Sequence, residues 1–155
     1  MRVRCTNNSG KALPARLRNI ELGFTEGTRF HLTLGTEYVV YALTIFLGDI
    51  WYYICDDSYS YYPVWNPAVL FAISDDRISR FWKIGYRSKD ESSDGGFLLA
   101  FPEWASDPGY YERLTDGDAA AVDLFRHYKE VMDQECGSDS KELDSSKRIA
   151  LRKEN

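Results

Sequence analysis

The chain has little of what most enzyme chemistry needs. It holds two histidines, His31 and His127, and three cysteines, Cys5, Cys55 and Cys136, in 155 residues. The cysteines are odd in number and show no CxxC spacing, so neither a zinc site nor a disulfide framework is expected. No serine stands in a GxSxG elbow, and no glycine-rich loop could cradle a phosphate. Neither histidine has a partner marked by spacing, so a small hydrolase built on His127 or Asp56 lacks the paired group that displaces a catalytic pKa. Asp56-Asp57 and Asp75-Asp76 offer the oxygen ligands that Mg²⁺ favours. Neighbours in a strand point to opposite faces, however, and aspartates at strand ends serve turns. No metal and no cofactor are expected.

Long apolar runs are also scarce. Residues 38–55 are the one stretch of that length, and Gly48-Asp49 interrupts it with β-branched and Tyr residues on both sides, which reads as a hairpin rather than a membrane span. The N-terminus MRVRCTNNSG lacks the apolar core of a signal peptide, so a cytoplasmic protein without membrane association is expected. Basic charge is missing from whole blocks. Residues 37–76 carry six acids and no base, and 90–135 carry twelve acids against three bases. The bases gather instead in 1–36, with six against two acids, and in 77–89, with five and no acid. At a net charge of −5 the chain is a poor nucleic-acid binder, which needs a basic face to release counterions, and its acidic stretches suit a basic partner.

What is abundant is aromatic and β-forming: eleven Tyr, eight Phe and four Trp. The organising stretch is Glu37 to Asp57, two strands joined by a tight turn with Gly48-Asp49 at its centre, as a type II′ turn asks. That turn sets Leu47 opposite Ile50, Ile45 opposite Tyr52 and Leu43 opposite Ile54 on an aliphatic face expected to form the core. Phe46/Trp51, Thr44/Tyr53 and Ala42/Cys55 then form the other, aromatic face. Both faces are too apolar for water, so the second needs a cover or a partner.

Around this hairpin, strands are expected at 2–5, 31–34, 68–73, 81–86 and 97–101, with a short one around Ile20–Leu22. Residues 58–67 hold Tyr59, Tyr61, Tyr62 and Trp65 between turn signals and two prolines, a loop rather than a central strand. Residues 88–96 read as a polar loop. Thr115-x-x-Asp118 opens a helix over about 116–134, buried along Ala121, Leu124, Phe125, Tyr128, Val131 and Met132. The tail from 136 is polar and expected to be disordered, leaving one domain over 1–135. The fold class is mainly β (α+β): a bent antiparallel sheet or a small SH3-like barrel with one C-terminal helix.

Tyr38-Val39-Val40-Tyr41, Gly48-Asp49-x-Trp51-Tyr52-Tyr53-Ile54-x-Asp56-Asp57, Tyr62-Pro63, Pro67-Ala68-x-Leu70-Phe71 and Asp75-x-Arg77-x-Ser79-x-x-Trp82 form a pattern over residues 35–86. It resembles small bacterial immunity proteins that accompany polymorphic or contact-dependent growth inhibition toxins. The resemblance implies a binder that neutralises a cognate, basic, nuclease-type toxin, with no enzyme activity of its own. Candidate contact residues, chosen because they sit in loops and at strand ends, are Asp56, Asp57, Tyr59, Tyr61, Tyr62, Trp65, Asp75 and Asp76. The rival reading is an SH3-like adaptor whose Tyr-rich loop holds a proline-rich peptide.

Overall fold

A computed structural model describes residues 1–87 and 96–151, with side chains within 1–86 and 96–137. The expected loop over 88–96 therefore lies, except for Gly96, outside the described residues. Eight strands run in chain order: β1 (Arg2–Cys5), β2 (Glu37–Val39), β3 (Ala42–Phe46), β4 (Asp49–Ile54), β5 (Val64–Pro67), β6 (Phe71–Asp75), β7 (Lys83–Arg87) and β8 (Gly96–Ala100). Three helices follow: α1 (Pro102–Ser106), α2 (Tyr110–Thr115) and α3 (Ala119–Leu151). The strands form two open antiparallel sheets, a three-stranded one in the order β2-β1-β6 and a five-stranded one in the order β5-β4-β3-β8-β7. The fold is mainly antiparallel β with a C-terminal helix, and its sheets do not close into a barrel.

The central hairpin differs from its expected form. Its turn is centred on Leu47-Gly48, not Gly48-Asp49, and pairs Ile45 with Ile50 and Phe46 with Asp49. Leu47 (φ 51°) and Gly48 (φ 75°) are both left-handed, the geometry of a type I′ turn, whose twist matches the strands. Asp49 is held in β4 because Arg16 grips both its carboxylate oxygens, at 2.7 and 2.8 Å. The shift is by two residues, so every side chain keeps its face and changes only its partner.

The face expected to be the core is only half covered. Tyr52 and Ile54 are buried, with Tyr52 against Phe71 of the three-stranded sheet at 6.0 Å between rings. Nearer the turn, Ile45, Leu47 and Ile50 are exposed. The aromatic face is the better buried one there. Trp51 is fully enclosed among Phe24, Phe46 and Trp65, and its indole N–H donates to the Phe46 carbonyl at 2.9 Å. The irregular segment 10–30, anchored by an Asn19–Phe24 bridge, contributes Phe24 to this cover. Farther along the same face α1 and α2 close down, with Trp104 and Tyr111 against Tyr53.

Several local expectations are corrected. Residues 31–34 form no strand, because the chain there is tied by the Tyr38 hydroxyl to the Thr33 N–H and by Asp57 N–H to the His31 carbonyl. Ile20–Leu22 is a turn. The expected strand at 68–73 starts as a short 3-10 turn, Ala68–Leu70, and becomes β6 only at Phe71. Val64–Pro67, read as loop, is the edge strand β5, where proline is tolerated. Thr115 does not cap the long helix. Its hydroxyl donates back to the Tyr111 and Glu112 carbonyls at the end of α2, left-handed Gly117 breaks the chain, and Asp118 caps α3 through the Ala121 N–H. Helical backbone runs on beyond 134 to Leu151, and residues 152–155 of the tail expected to be disordered lie outside the described residues.

Candidate functional site

The loop between β4 and β5 is fixed at both ends. At its start the Asp56 carboxylate accepts from the Ser58 and Tyr59 N–H groups at 2.9 and 2.8 Å, an Asx turn that folds the chain back. At its end Pro63 is buried and its carbonyl accepts from the Tyr111 hydroxyl at 2.9 Å. Between these anchors three tyrosines pack on one another. Ring centroids lie 5.0 Å apart for Tyr59 and Tyr62, 4.9 Å for Tyr61 and Tyr62, and 6.2 Å for Tyr59 and Tyr61. Burial beside its neighbours pushes the Tyr62 hydroxyl pKa up. Tyr61 stands at the outside of the knot, 61% exposed.

Asp57, exposed in the same loop, ties it back to the segment before β2 and to β2 itself. It accepts from the Tyr38 hydroxyl at 2.8 Å and from the Thr33 hydroxyl at 2.7 Å. Burial holds the Tyr38 phenol up at about 12. The donors to Asp56 and Asp57 are backbone amides and neutral hydroxyls, and neither carboxylate forms an ion pair among the described residues. Both lie at the root of the tyrosine knot.

The other aspartate pair behaves differently. Asp75 is nearly enclosed, and Arg77 binds it through two guanidinium nitrogens at 2.8 and 2.6 Å, with Arg2 at 3.9 Å on the other side. Hydrogen bonding to Arg77 holds its carboxyl down at about 2. Asp75 is thus neutralised within the fold, and only Asp76 remains exposed there. Asp75 ends β6 beside Arg2 of β1, whereas Asp56 and Asp57 follow β4 and take their donors from their own loop, Thr33 and Tyr38, so the two aspartate pairs share no partner in these bonds. They do not make one site.

Trp65 also parts from the tyrosines. It lies on β5 opposite Tyr53, 4.8 Å from Trp51 and 5.0 Å from Phe46, as part of the aromatic packing. The candidate set thus divides into a surface group (Asp56, Asp57, Tyr59, Tyr61, Tyr62), a separate group (Asp75, Asp76) and one packing residue. No family model, curated protein or solved structure matches this chain.

A cleft of 180 Å³ opens between Ser60-Tyr61 and α3, lined there by Val122, Phe125, Arg126 and Lys129. Sequence reasoning missed these helix residues as neighbours of the loop. Their positions at steps of three and four give a helical stripe beside the buried one, a signal that marks a face without naming what touches it. The two cations of the cleft are matched by carboxylates, Arg126 by Asp123 at 2.7 Å and Lys129 by Asp133 at 2.6 Å. A second hollow, of 290 Å³, lies beside Tyr53, Trp104 and Tyr111, and its one acid, Asp107, is paired with Arg113. Among the described residues no group of three or more His, Cys, Asp and Glu could hold a metal, and no helix is long and apolar enough to cross a membrane. Within reach of the tyrosine loop lie rings, hydroxyls and the Asp56 and Asp57 carboxylates, which form no ion pair among the described residues.

Proposed function

We propose that this protein is a cytoplasmic immunity protein that binds and neutralises a basic, nuclease-type toxin without chemistry of its own. The observation that carries the reading is the tyrosine knot Tyr59, Tyr61 and Tyr62 rooted on Asp56 and Asp57, two carboxylates that form no ion pair among the described residues. Unpaired acid draws a cationic partner in and raises the association rate. Packed rings that need little further ordering fill the interface and slow dissociation. The acid-only block 37–76, in which the loop lies, and the resemblance over 35–86 support the same reading.

Binding kinetics against the product of the adjacent gene, at two salt concentrations, test it. Asp56→Asn with Asp57→Asn retains acceptors for the Ser58, Tyr59 and Tyr38 donors while removing the charge. It should slow association about three- to tenfold at low salt and flatten the salt dependence. Tyr61→Ala should instead speed dissociation by about tenfold or more. Unchanged rates in both would reject this surface. No binding to that product, with binding to a proline-rich peptide, would favour an adaptor.

A further inference from the structure

We propose that the protein self-associates through the open half of its five-stranded sheet, face to face with a second copy. The register places Ile45 opposite Ile50, Tyr86 opposite Phe97, and Ile84 opposite Leu99, which in turn faces Leu43. All of these therefore lie on one face of β3, β4, β7 and β8. Tyr86 is 72% exposed, Ile84 71%, Ile45 53%, Ile50 45%, and Leu47 at the turn 43%.

Two observations select the occupant. The first is area. The five exposed side chains and the half-buried Leu43, Phe97 and Leu99 form one uninterrupted apolar surface across β4, β3, β8 and β7, broad enough to count toward the ~800 Å² per partner of a standard interface. The second is charge. Among the described side chains of these four strands the charged ones, Asp49 and Lys83, sit at the opposite alternation. A face without charge offers a cationic partner nothing to recognise, but it meets its own copy across a two-fold axis without any like-charge contact. The free edge of β7 is a poorer route to a dimer, because antiparallel self-pairing centred on Gly85 would set Lys83 against Arg87. The tyrosine knot lies toward Tyr111 and Tyr53, on the other side of the sheet, and stays accessible in each copy.

Sedimentation equilibrium of the full chain, from about 1 to about 100 µM, should show mass rising from monomer to dimer. Ile84→Asp should keep the protein monomeric over that range, with unchanged circular dichroism. Should that variant fail to fold, Tyr86→Lys serves on the same face at the sheet edge. A wild-type protein that stays monomeric at the top of the range overturns the inference, as does a folded variant that dimerises like wild type. Hydrogen exchange of β3 and β7 that slows only when the adjacent gene's product is added, with wild type monomeric, assigns the face to that product and likewise overturns self-association.

Discussion

One face of the five-stranded sheet is covered by the irregular segment and the short helices, and the other is open at its hairpin end. The closed face holds Trp51, Tyr53, Phe46 and Trp65, and it receives Phe24 from the irregular segment and Trp104 and Tyr111 from the short helices. The open one holds Ile45, Ile50, Ile84 and Tyr86. Hydrophobicity alone ranks the aliphatic face as the core. The difference comes from geometry. The Trp51 indole has a polar handle that anchors it on the Phe46 carbonyl, and rings from outside the sheet close over it. Gly85 completes the closure, since a Cβ there would meet the Ala105 carbonyl oxygen at 2.2 Å, so α1 can approach β7 only where no side chain stands.

Substitutions can break this contrast, and the largest effect is expected at Trp51. Trp51→Ala should lower unfolding free energy by about 3–5 kcal/mol in denaturant melts, since it empties the centre of the closed face. Gly85→Ala should follow, at about 1–3 kcal/mol, by forcing α1 off the strand, while Gly96→Ala on β8, where a Cβ meets nothing within 4 Å, should cost less than half as much. Next comes the cover over Tyr52 and Ile54, whose sheet is pinned at one end by Asp75. With its folded carboxyl at about 2, below the unfolded value of about 3.9, Asp75 contributes stability above pH ~4 that is lost as pH falls toward 2. Asp75→Asn should therefore cost about 1–2 kcal/mol at pH 6, allowing for the solvent around Arg77, and the gap to wild type should narrow in melts at pH 2. The smallest effect is expected on the open face. Ile50→Ala, measured at low protein concentration, should change stability by less than about 0.5–1 kcal/mol; a loss equal to that at Trp51 would show the two faces to be equally covered.

Much of the β pattern is legible in residue alternation. Arg2–Cys5, the two arms of the hairpin and the strand at 97–100 could all be read from it, because period-2 patterning reports a pleated strand wherever it lies. What alternation does not report is which sheet a strand joins. Glu37–Val39 and Ala42–Phe46 read as one arm, but the first pairs with β1 and the second with β4. The turn was misplaced because Gly-Asp is a strong hairpin signal, and only Arg16, thirty-three residues away in sequence, reveals that Asp49 is needed in the strand. For the site, the tyrosine loop stood out by composition and lies at the surface as a cluster. Asp75 looked equivalent to Asp56 because a sequence lists charges without their partners. Its neutralisation by Arg77 and Arg2 depends on the pairing of β1 with β6 and on a local turn, neither of which spacing encodes.

Between β2 and β3 the chain crosses from one sheet to the other in two residues, Val40 and Tyr41, both buried. Tyr41 is also held from three sides: its N–H donates to the Tyr53 carbonyl, its carbonyl accepts from the Trp82 indole at 2.9 Å, and its hydroxyl donates to Asp133 on α3 at 2.7 Å. Such a junction leaves no slack for one sheet to melt while the other stays folded. Amide protons in β1 and β4 should then exchange through the same global opening, with matching protection and one shared denaturant dependence, so that the two sheets behave as a single cooperative unit.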